Sequence, residues 1–454
     1  TRGLEIVMRV NKMIQLPQRV PKTMSISVFS AAVFSLLLSF SAWSQSLVIE
    51  ITQGVDNPVP IAVVPFQWSG VNALNEDVAQ VIDAVLARSG QFKSLKRSLM
   101  LSFPHQKEDV YFRDWSYLAT EYLVIGQVLA TSADSYQVNY QLFDVQRQEV
   151  ISVGGFTGGK NDLRALAHST SDAVYEALTG LKGAFRTRIA YVAADKKVNP
   201  SYYKLFVADA DGHNAKEILK SNQPIMSPSW SRDASKLAYV SFETNRPAIY
   251  VQDITTGQRE RIQSFKGING APSWSPDGEK LAIVLSKDGN AEIYVLDLAS
   301  NKLTRVTRHY GIDTEPSWSV DGKHILFTSD RGGKPQIYQV TLESGWVERL
   351  TFEGDYNARG SLTYDGRFLV LVSRHDSQFN IAVQDLQRGT MSLLTQTSLD
   401  ESPTVAPNGS MVMYSTQDGG RDILAAVSID GKVKFKIPAN EGVVREPAWS
   451  PYLD

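Results

Sequence analysis

The sequence predicts two domains: a small N-terminal α/β domain, then a six-bladed β-propeller closed by the C-terminal strand. The first observation is a segment of the type Pro-Ser-Trp-Ser-x-Asp-Gly that recurs through the second half of the chain. It reads Pro228-Ser-Trp230-Ser-Arg-Asp233, Pro272-Ser-Trp274-Ser-Pro-Asp277-Gly278 and Pro316-Ser-Trp318-Ser-Val-Asp321-Gly322. Weaker copies follow at Ser361-Leu-Thr-Tyr-Asp365-Gly366 and Pro403-Thr-Val-Ala-Pro-Asn408-Gly409, and a clean one at Pro447-Ala-Trp449-Ser-Pro451. The reference positions 230, 274, 318, 362, 405 and 449 are spaced by 44, 44, 44, 43 and 44 residues. A period in this range, filled with strand signals, marks propeller blades, which bury their faces only by stacking around an axis. The second observation is that the terminal copies are incomplete in complementary ways. Arg188-Ile-Ala-Tyr-Val192 matches Lys236-Leu-Ala-Tyr-Val240 without a preceding Pro-x-Trp-Ser, while Pro447-Ala-Trp449-Ser has no strands after it. A C-terminal strand completing the first blade makes six blades and removes an exposed sheet edge. The third observation is that residues 45–180 lack the repeat and alternate helical with strand periodicity.

The elements follow in order. Residues 1–44 read as upstream residues and a signal peptide: the chain opens with Thr1, and Arg19 and Lys22 precede an apolar run from Ile26 to Phe40. Met13 or Met8 is the expected start, with cleavage near Ser44. The run is shorter than the ~20 residues a spanning helix needs, which disfavours an uncleaved anchor. In the domain 45–180, Pro60 to Phe66 reads as a buried strand. Ala73 to Arg88 carries Val78, Val81, Ile82, Val85 and Leu86 at helical spacing. Trp115 to Leu118 opens a short helix leading into Tyr122 to Gly126. A hairpin, Tyr136 to Phe143 and Val150 to Phe156, precedes a helix from Asn161 to Leu178, with Asn161-Asp162 as its cap. In the propeller, 186–454, each blade reads as a short strand ending at Trp-Ser, an Asp-Gly or Asn-Gly turn, and three further strands. The repeated Trp residues are expected to pack between blades, and the Asp-Gly pairs to be turn chemistry.

Composition narrows the chemistry. There is no cysteine, so disulfides, thiolate metal sites and cysteine catalysis are excluded. A formal charge of −2, with cations spread through the chain, offers no stripe for nucleic acid or anionic lipid. Gly154-Gly-Phe-Thr-Gly-Gly159-Lys160 has phosphate-loop spacing, but Asn161 stands where Ser or Thr would hold magnesium. The histidines show no zinc spacing, Asp209-Ala-Asp211-Gly212 lacks the rest of a calcium loop, and no Gly-x-Ser-x-Gly elbow occurs. No catalytic, cofactor-binding or metal-ligating residue is therefore assigned, and the protein is expected not to be an enzyme.

What remains is surface. The segments leading into the innermost strands converge on one rim: Ile225-Met226-Ser227, Asn269-Gly270-Ala271, Asp313-Thr314-Glu315, Asn357-Ala358-Arg359, Leu399-Asp400-Glu401 and Val444-Arg445-Glu446. Their mixture of acidic, amide, small and apolar side chains suits protein binding. Glu315, Asp400, Glu401 and Glu446 could instead gather a hydrated cation, or serve a propeller enzyme or glycan-binding propeller through an acidic channel site.

The residues also resemble one family, the TolB proteins of the Gram-negative Tol–Pal system. The likeness covers Ile51-Thr-Gln-Gly-Val55 followed by Pro60 to Phe66, the junction Leu178 to Val192, the Pro-x-Trp-Ser-Pro-Asp-Gly repeats, and the closing Pro447 to Leu453. The resemblance implies a periplasmic, non-enzymatic component of envelope integrity and of outer-membrane invagination during cell division. It implies binding of the Pal lipoprotein on the rim, at Ile268, Ala271, Thr314, Glu315, Ala358, Asp400, Glu401 and Glu446. It also implies binding of TolA through an N-terminal arm, about residues 45–54, in which Leu47, Val48, Ile49 and Ile51 would add a strand to the partner's sheet. Coupling between the two ends is expected to be reciprocal.

Overall fold

The computed structural model describes residues 57–70, 72–195, 201–437 and 442–453. The expected signal peptide and TolA-binding arm, with Leu47, Val48, Ile49 and Ile51, lie outside the described residues. Among the described residues no helix is long and apolar enough to cross a membrane.

The N-terminal domain is built on a six-stranded sheet: β1 (Val59–Val63), β2 (Gln67–Trp68), β3 (Phe92–Ser94), β4 (Tyr122–Ser132), β5 (Ser135–Asp144) and β6 (Glu149–Gly159). The order is β3-β1-β4-β5-β6, with β2 also on β4; β1 runs parallel to both neighbours, and β4, β5 and β6 form an antiparallel meander. Helices α1 (Val78–Arg88) and α3 (Leu163–Thr179) cover one face, packing Val81, Ile82, Leu86, Leu166 and Val174 against Ile61, Val124 and Leu142. The short helix α2 (Phe112–Tyr117) covers the other, with Trp115 against Leu123, Ile125 and Phe143.

Several boundaries differ from expectation for local reasons. Helix α1 begins at Val78, five residues later than its periodicity suggests, because the Asp77 carboxylate caps it by accepting from Gln80 N at 3.1 Å. Helix α2 starts at Phe112 and ends at Tyr117, so Trp115 lies within it and does not open it. Asp162 holds the cap position of α3, but its carboxylate turns back to accept from Gly159 N at 2.9 Å. The phosphate-loop look-alike is no loop: Gly154 to Gly159 extend strand β6 against β5, so they run straight in the ladder and do not curl into a cradle.

The propeller has six four-stranded antiparallel sheets. Five are continuous in sequence and are here numbered blades 1 to 5 by their innermost strands: Ile225–Trp230, Asn269–Trp274, Asp313–Trp318, Asn357–Leu362 and Glu401–Val405. Blade 6 is composite. The C-terminal strand Val443–Trp449 pairs antiparallel with Arg188–Asp195, setting Val443 opposite Ala194 and Trp449 opposite Ile189. The innermost strands of blades 1 to 3 end in the same turn. The Ser231, Ser275 and Ser319 hydroxyls donate to Asp233, Asp277 and Asp321 at 2.5–2.6 Å and accept from the next strand's first amide at 2.9 Å. The repeated Ser-x-Asp is therefore hairpin closure, completed where Gly278 and Gly322 supply positive φ.

The tryptophans tie neighbouring blades. Trp318 Nε1 donates to Ser273 O at 3.1 Å, one blade back, and Trp230 Nε1 donates to Ala448 O at 3.0 Å across the ring closure. Both indoles thus bury their rings between sheets and their N–H on a carbonyl, as expected of packing residues, while Trp449 Nε1 donates instead to the Thr187 hydroxyl at 2.8 Å.

Candidate docking rim

Five of the six segments expected to be loops lie within the innermost strands themselves, the blade 5 segment reaches its strand only at Glu401, and each of the six strands carries a β-bulge. The register breaks between Met226 and Ser229, Gly270 and Ser273, Thr314 and Ser317, Ala358 and Ser361, Glu401 and Thr404, and Arg445 and Ala448. At each bulge one non-glycine residue takes positive φ, namely Ser227, Ala271, Glu315, Arg359, Ser402 and Glu446, with φ between 43° and 55°. An L-residue there costs roughly 1 kcal/mol. The bulge re-aims each backbone at the channel mouth.

The residue two before each bulge position is a buried wedge: Ile225, Asn269, Asp313, Asn357, Asp400 and Val444. This corrects the expectation for Asp400. It is 0 % exposed, accepts from the Thr397 hydroxyl, and offers no group to a partner. Ala358, at 3 % exposure, is likewise shut inside, beside the buried Asn357. Asn269 shows the work of the wedge position: its amide group accepts from Phe265 N at 2.8 Å and donates to Phe265 O at 2.7 Å, fastening the preceding rim loop.

The remaining expected contacts do lie at the surface. Ile268 is 46 % exposed, Glu401 is exposed, and Ala271, Thr314, Glu315 and Glu446 are half-buried. Sequence reasoning placed Met226 in a rim segment without singling it out, and passed over Tyr310 and Ile312. Met226, Tyr310 and Ile312 are also exposed, and with Ile268 they sit at or just before the innermost strand starts of the consecutive blades 1 to 3, an apolar set here called the crescent. The signal was available as apolar side chains where solvated loops favour polar ones, but they fall outside the repeat motif.

The acids do not form a cation site. Arg359, whose side chain is 30 % exposed, donates through Nε to Glu315 Oε1 at 2.8 Å, and through Nη1 and Nη2 to the two Glu446 oxygens at 3.2 Å each. Nη1 also reaches the Ser402 hydroxyl. Burial works against the guanidinium's charge, but Glu446 and Glu315 outweigh it and hold its pKa above the ordinary arginine value. With Asp400 enclosed and Glu401 outside, only Glu315 and Glu446 of the four carboxylates come together, and both are held by one guanidinium. Among the described residues no cluster of three or more His, Asp or Glu could hold a metal.

A second charged centre lies at the other end of the propeller. Asp211, in blade 6 and 4 % exposed, accepts from Arg164 Nη2 at 2.6 Å and Nε at 3.1 Å, and lies 3.4 Å from Arg88 Nη2. His168 Nε2 stands at 3.2 Å and His213 Nδ1 at 3.3 Å. Arg88 comes from α1, and Arg164 and His168 from α3, so one carboxylate pins both helices of the N-terminal domain to the propeller. Burial alone would raise the pKa of Asp211, yet bonds to the two histidines and the charge of Arg88 leave it well below the usual carboxylate range. The turn expected to be mere loop chemistry is thus the polar anchor between domains. Asn408, in the turn after an innermost strand, donates to Lys182 O at 3.1 Å, so this domain sits on the face opposite the rim.

The class is therefore a six-bladed, strand-closed propeller mounted by its lower face on an α/β domain, with its rim at the other end. The TolB beta propeller domain family matches residues 175–453 and the TolB amino-terminal domain family residues 47–151. A protein named Tol-Pal system protein TolB from Alcanivorax borkumensis is 57% identical over 426 residues, covering 93% of this chain and 97% of its own. The one of the same name from Marinomonas sp. is 59% identical over 424 residues, covering 93% and 98%. The crystal structure of TolB from Acinetobacter baumannii superposes with a TM-score of 0.81 at 44% identity, over 89% of this chain and all of that one. The chain belongs to the TolB family.

Proposed function

We propose that this protein is a periplasmic, non-enzymatic binding component of a Tol–Pal system, and that its rim docks the soluble domain of a Pal lipoprotein. The observation that carries the reading is the apolar crescent of Met226, Ile268, Tyr310 and Ile312 beside Thr314 and Ala271. Solvent-exposed apolar side chains grouped on one rim are costly unless covered, and a partner's apolar anchors would cover them. Glu401 and Arg445 stand exposed on the opposite part of the rim and supply a polar border. The channel mouth argues for docking in preference to glycan chemistry, because Glu315 and Glu446 are both committed to Arg359.

The N-terminal arm, residues 45–54, would bind TolA by strand addition, and the two sites would be linked through the Asp211 anchor. The cellular output would be envelope integrity and outer-membrane invagination at division. The test is calorimetric titration of the protein lacking residues 1–44 with the soluble Pal domain of the same organism. Saturable binding that is abolished by Thr314→Arg, and altered in affinity on further removal of residues 45–54, is expected. No binding by the unmutated protein would overturn the reading.

A further inference from the structure

The bulge position is the one place where all six blades accept backbone strain, yet no blade uses glycine there. Glycine would relieve that strain without loss of the bulge. A side chain at that position therefore does something, and the structure shows what in four consecutive blades. Arg359 of blade 4 holds Glu315 of blade 3 on one side and Ser402 of blade 5 on the other. Its fork also passes beyond blade 5 to Glu446 of blade 6. Glu315 is fixed from behind as well: its Oε2 accepts from Thr328 Oγ1 at 2.9 Å and from Arg359 N at 3.1 Å. One guanidinium thus ties the strand starts of blades 3, 4, 5 and 6 across the channel mouth. Blades 1 and 2 carry only Ser227 and Ala271 at this position, and these have no part in the network.

We propose that Arg359 is the positioning residue of the docking rim: it sets the spacing of blades 3 to 6 so that Thr314 and the apolar crescent meet a partner as a preformed surface. Glu315 and Glu446 then act through Arg359, and their effect on binding is indirect. A planar fork that bonds three carboxylate oxygens in fixed directions cannot be replaced by the single point charge of lysine. Preorganisation of this kind lowers the ordering cost of association, and its loss appears mainly as faster dissociation.

The proposal rests on the rim being the docking surface, so its test has one arm that needs no partner. Amide hydrogen exchange is followed at the strand starts near residues 314, 358, 401 and 445, with those near 226 and 270 as internal controls. Binding of the soluble Pal domain is measured in parallel by surface-immobilised kinetics. Arg359→Met and Arg359→Lys are expected to speed exchange at the first four sites and not at the controls, and to weaken binding tenfold or more through the off-rate. The triple variant Arg359→Met/Glu315→Gln/Glu446→Gln removes the unpaired charges and guards against simple misfolding. It is expected to recover thermal stability without recovering affinity. Wild-type affinity in Arg359→Lys, or recovery of affinity in the neutral triple variant, would overturn the positioning role. Failure of the unmutated protein to bind, with exchange still accelerated in Arg359→Met, would instead refute the partner reading and leave the clamp standing. Unchanged exchange at all six sites would refute the clamp itself.

Discussion

Replacing Asp211 by alanine removes the carboxylate at which two arginines and two histidines meet between the domains. Arg88 would keep only its bond to Ala84 O at 3.2 Å, while Arg164 would keep Glu76 at 3.3 Å. Removing one partner of a buried ion pair costs about 3–5 kcal/mol, because the other charge stays desolvated. Since Arg164 retains Glu76, which is itself part-exposed, the lower end of that range, about 3 kcal/mol, is expected. The loss should be localised. The N-terminal domain and propeller each keep their own apolar cores, so the contact between them weakens first. Urea unfolding followed by tryptophan fluorescence should shift to lower denaturant and split into two transitions, with limited proteolysis cutting first near the 180–187 junction. The pH dependence gives a second reading. The carboxyl of Asp211 is depressed in the folded state, so its stabilisation is present above its unfolded pKa near 4 and is lost as pH falls through the folded value. Asp211→Asn should therefore flatten the acid limb of the stability profile below about pH 4. A loss under about 1 kcal/mol with a single cooperative transition would refute the anchor, since that is the size of an exposed pair.

Asp172 behaves in the opposite sense. Burial pushes its carboxyl up to about 6, despite bonds from Phe185 N at 2.7 Å and Arg186 N at 3.0 Å. Its folded pKa exceeds the unfolded one, so stability should decline from about pH 4 to about pH 6, by about 3 kcal/mol at 1.36 kcal/mol per unit. Chemical denaturation across that range should show the decline in the wild type and lose it in Asp172→Asn. Gly90→Ala should destabilise by about 2–4 kcal/mol, combining left-handed backbone strain with overpacking: φ is +72° and a Cβ would stand 2.0 Å from Val433 Cγ2. Val433→Ala in the same chain should restore part of that loss in thermal unfolding. Trp449→Ala should cost about 3–5 kcal/mol as a large-to-small change. Its indole donates to Thr187 Oγ1 at 2.8 Å where the ring closes, so calorimetry should show the propeller transition moving to lower temperature.

The 44-residue spacing, the Trp-Ser-x-Asp-Gly turn and the half-copies at each end determined by themselves that this chain closes a six-bladed ring. Each is a local or periodic property: turn chemistry uses neighbours two to five residues away, and a blade repeats one pattern of burial. The N-terminal helices and longer strands were legible for the same reason, but the Asp77 cap moved the start of α1, α2 opened three residues before Trp115, and the short strands Gln67–Trp68 and Phe92–Ser94 were too brief to show a period. The rim is different. Asp400 and Glu401 are adjacent in sequence and equal in charge, yet the chain entering the innermost strand buries one and exposes the other. Arg359 meets Glu446 across 87 residues, and Asp211 meets Arg88 across 123, so no local window contains either pair. Sequence periodicity locates the six bulge positions. Which of their side chains join over the channel, and which apolar residues stay uncovered beside them, depends on blade order around the axis and only the tertiary structure decided it.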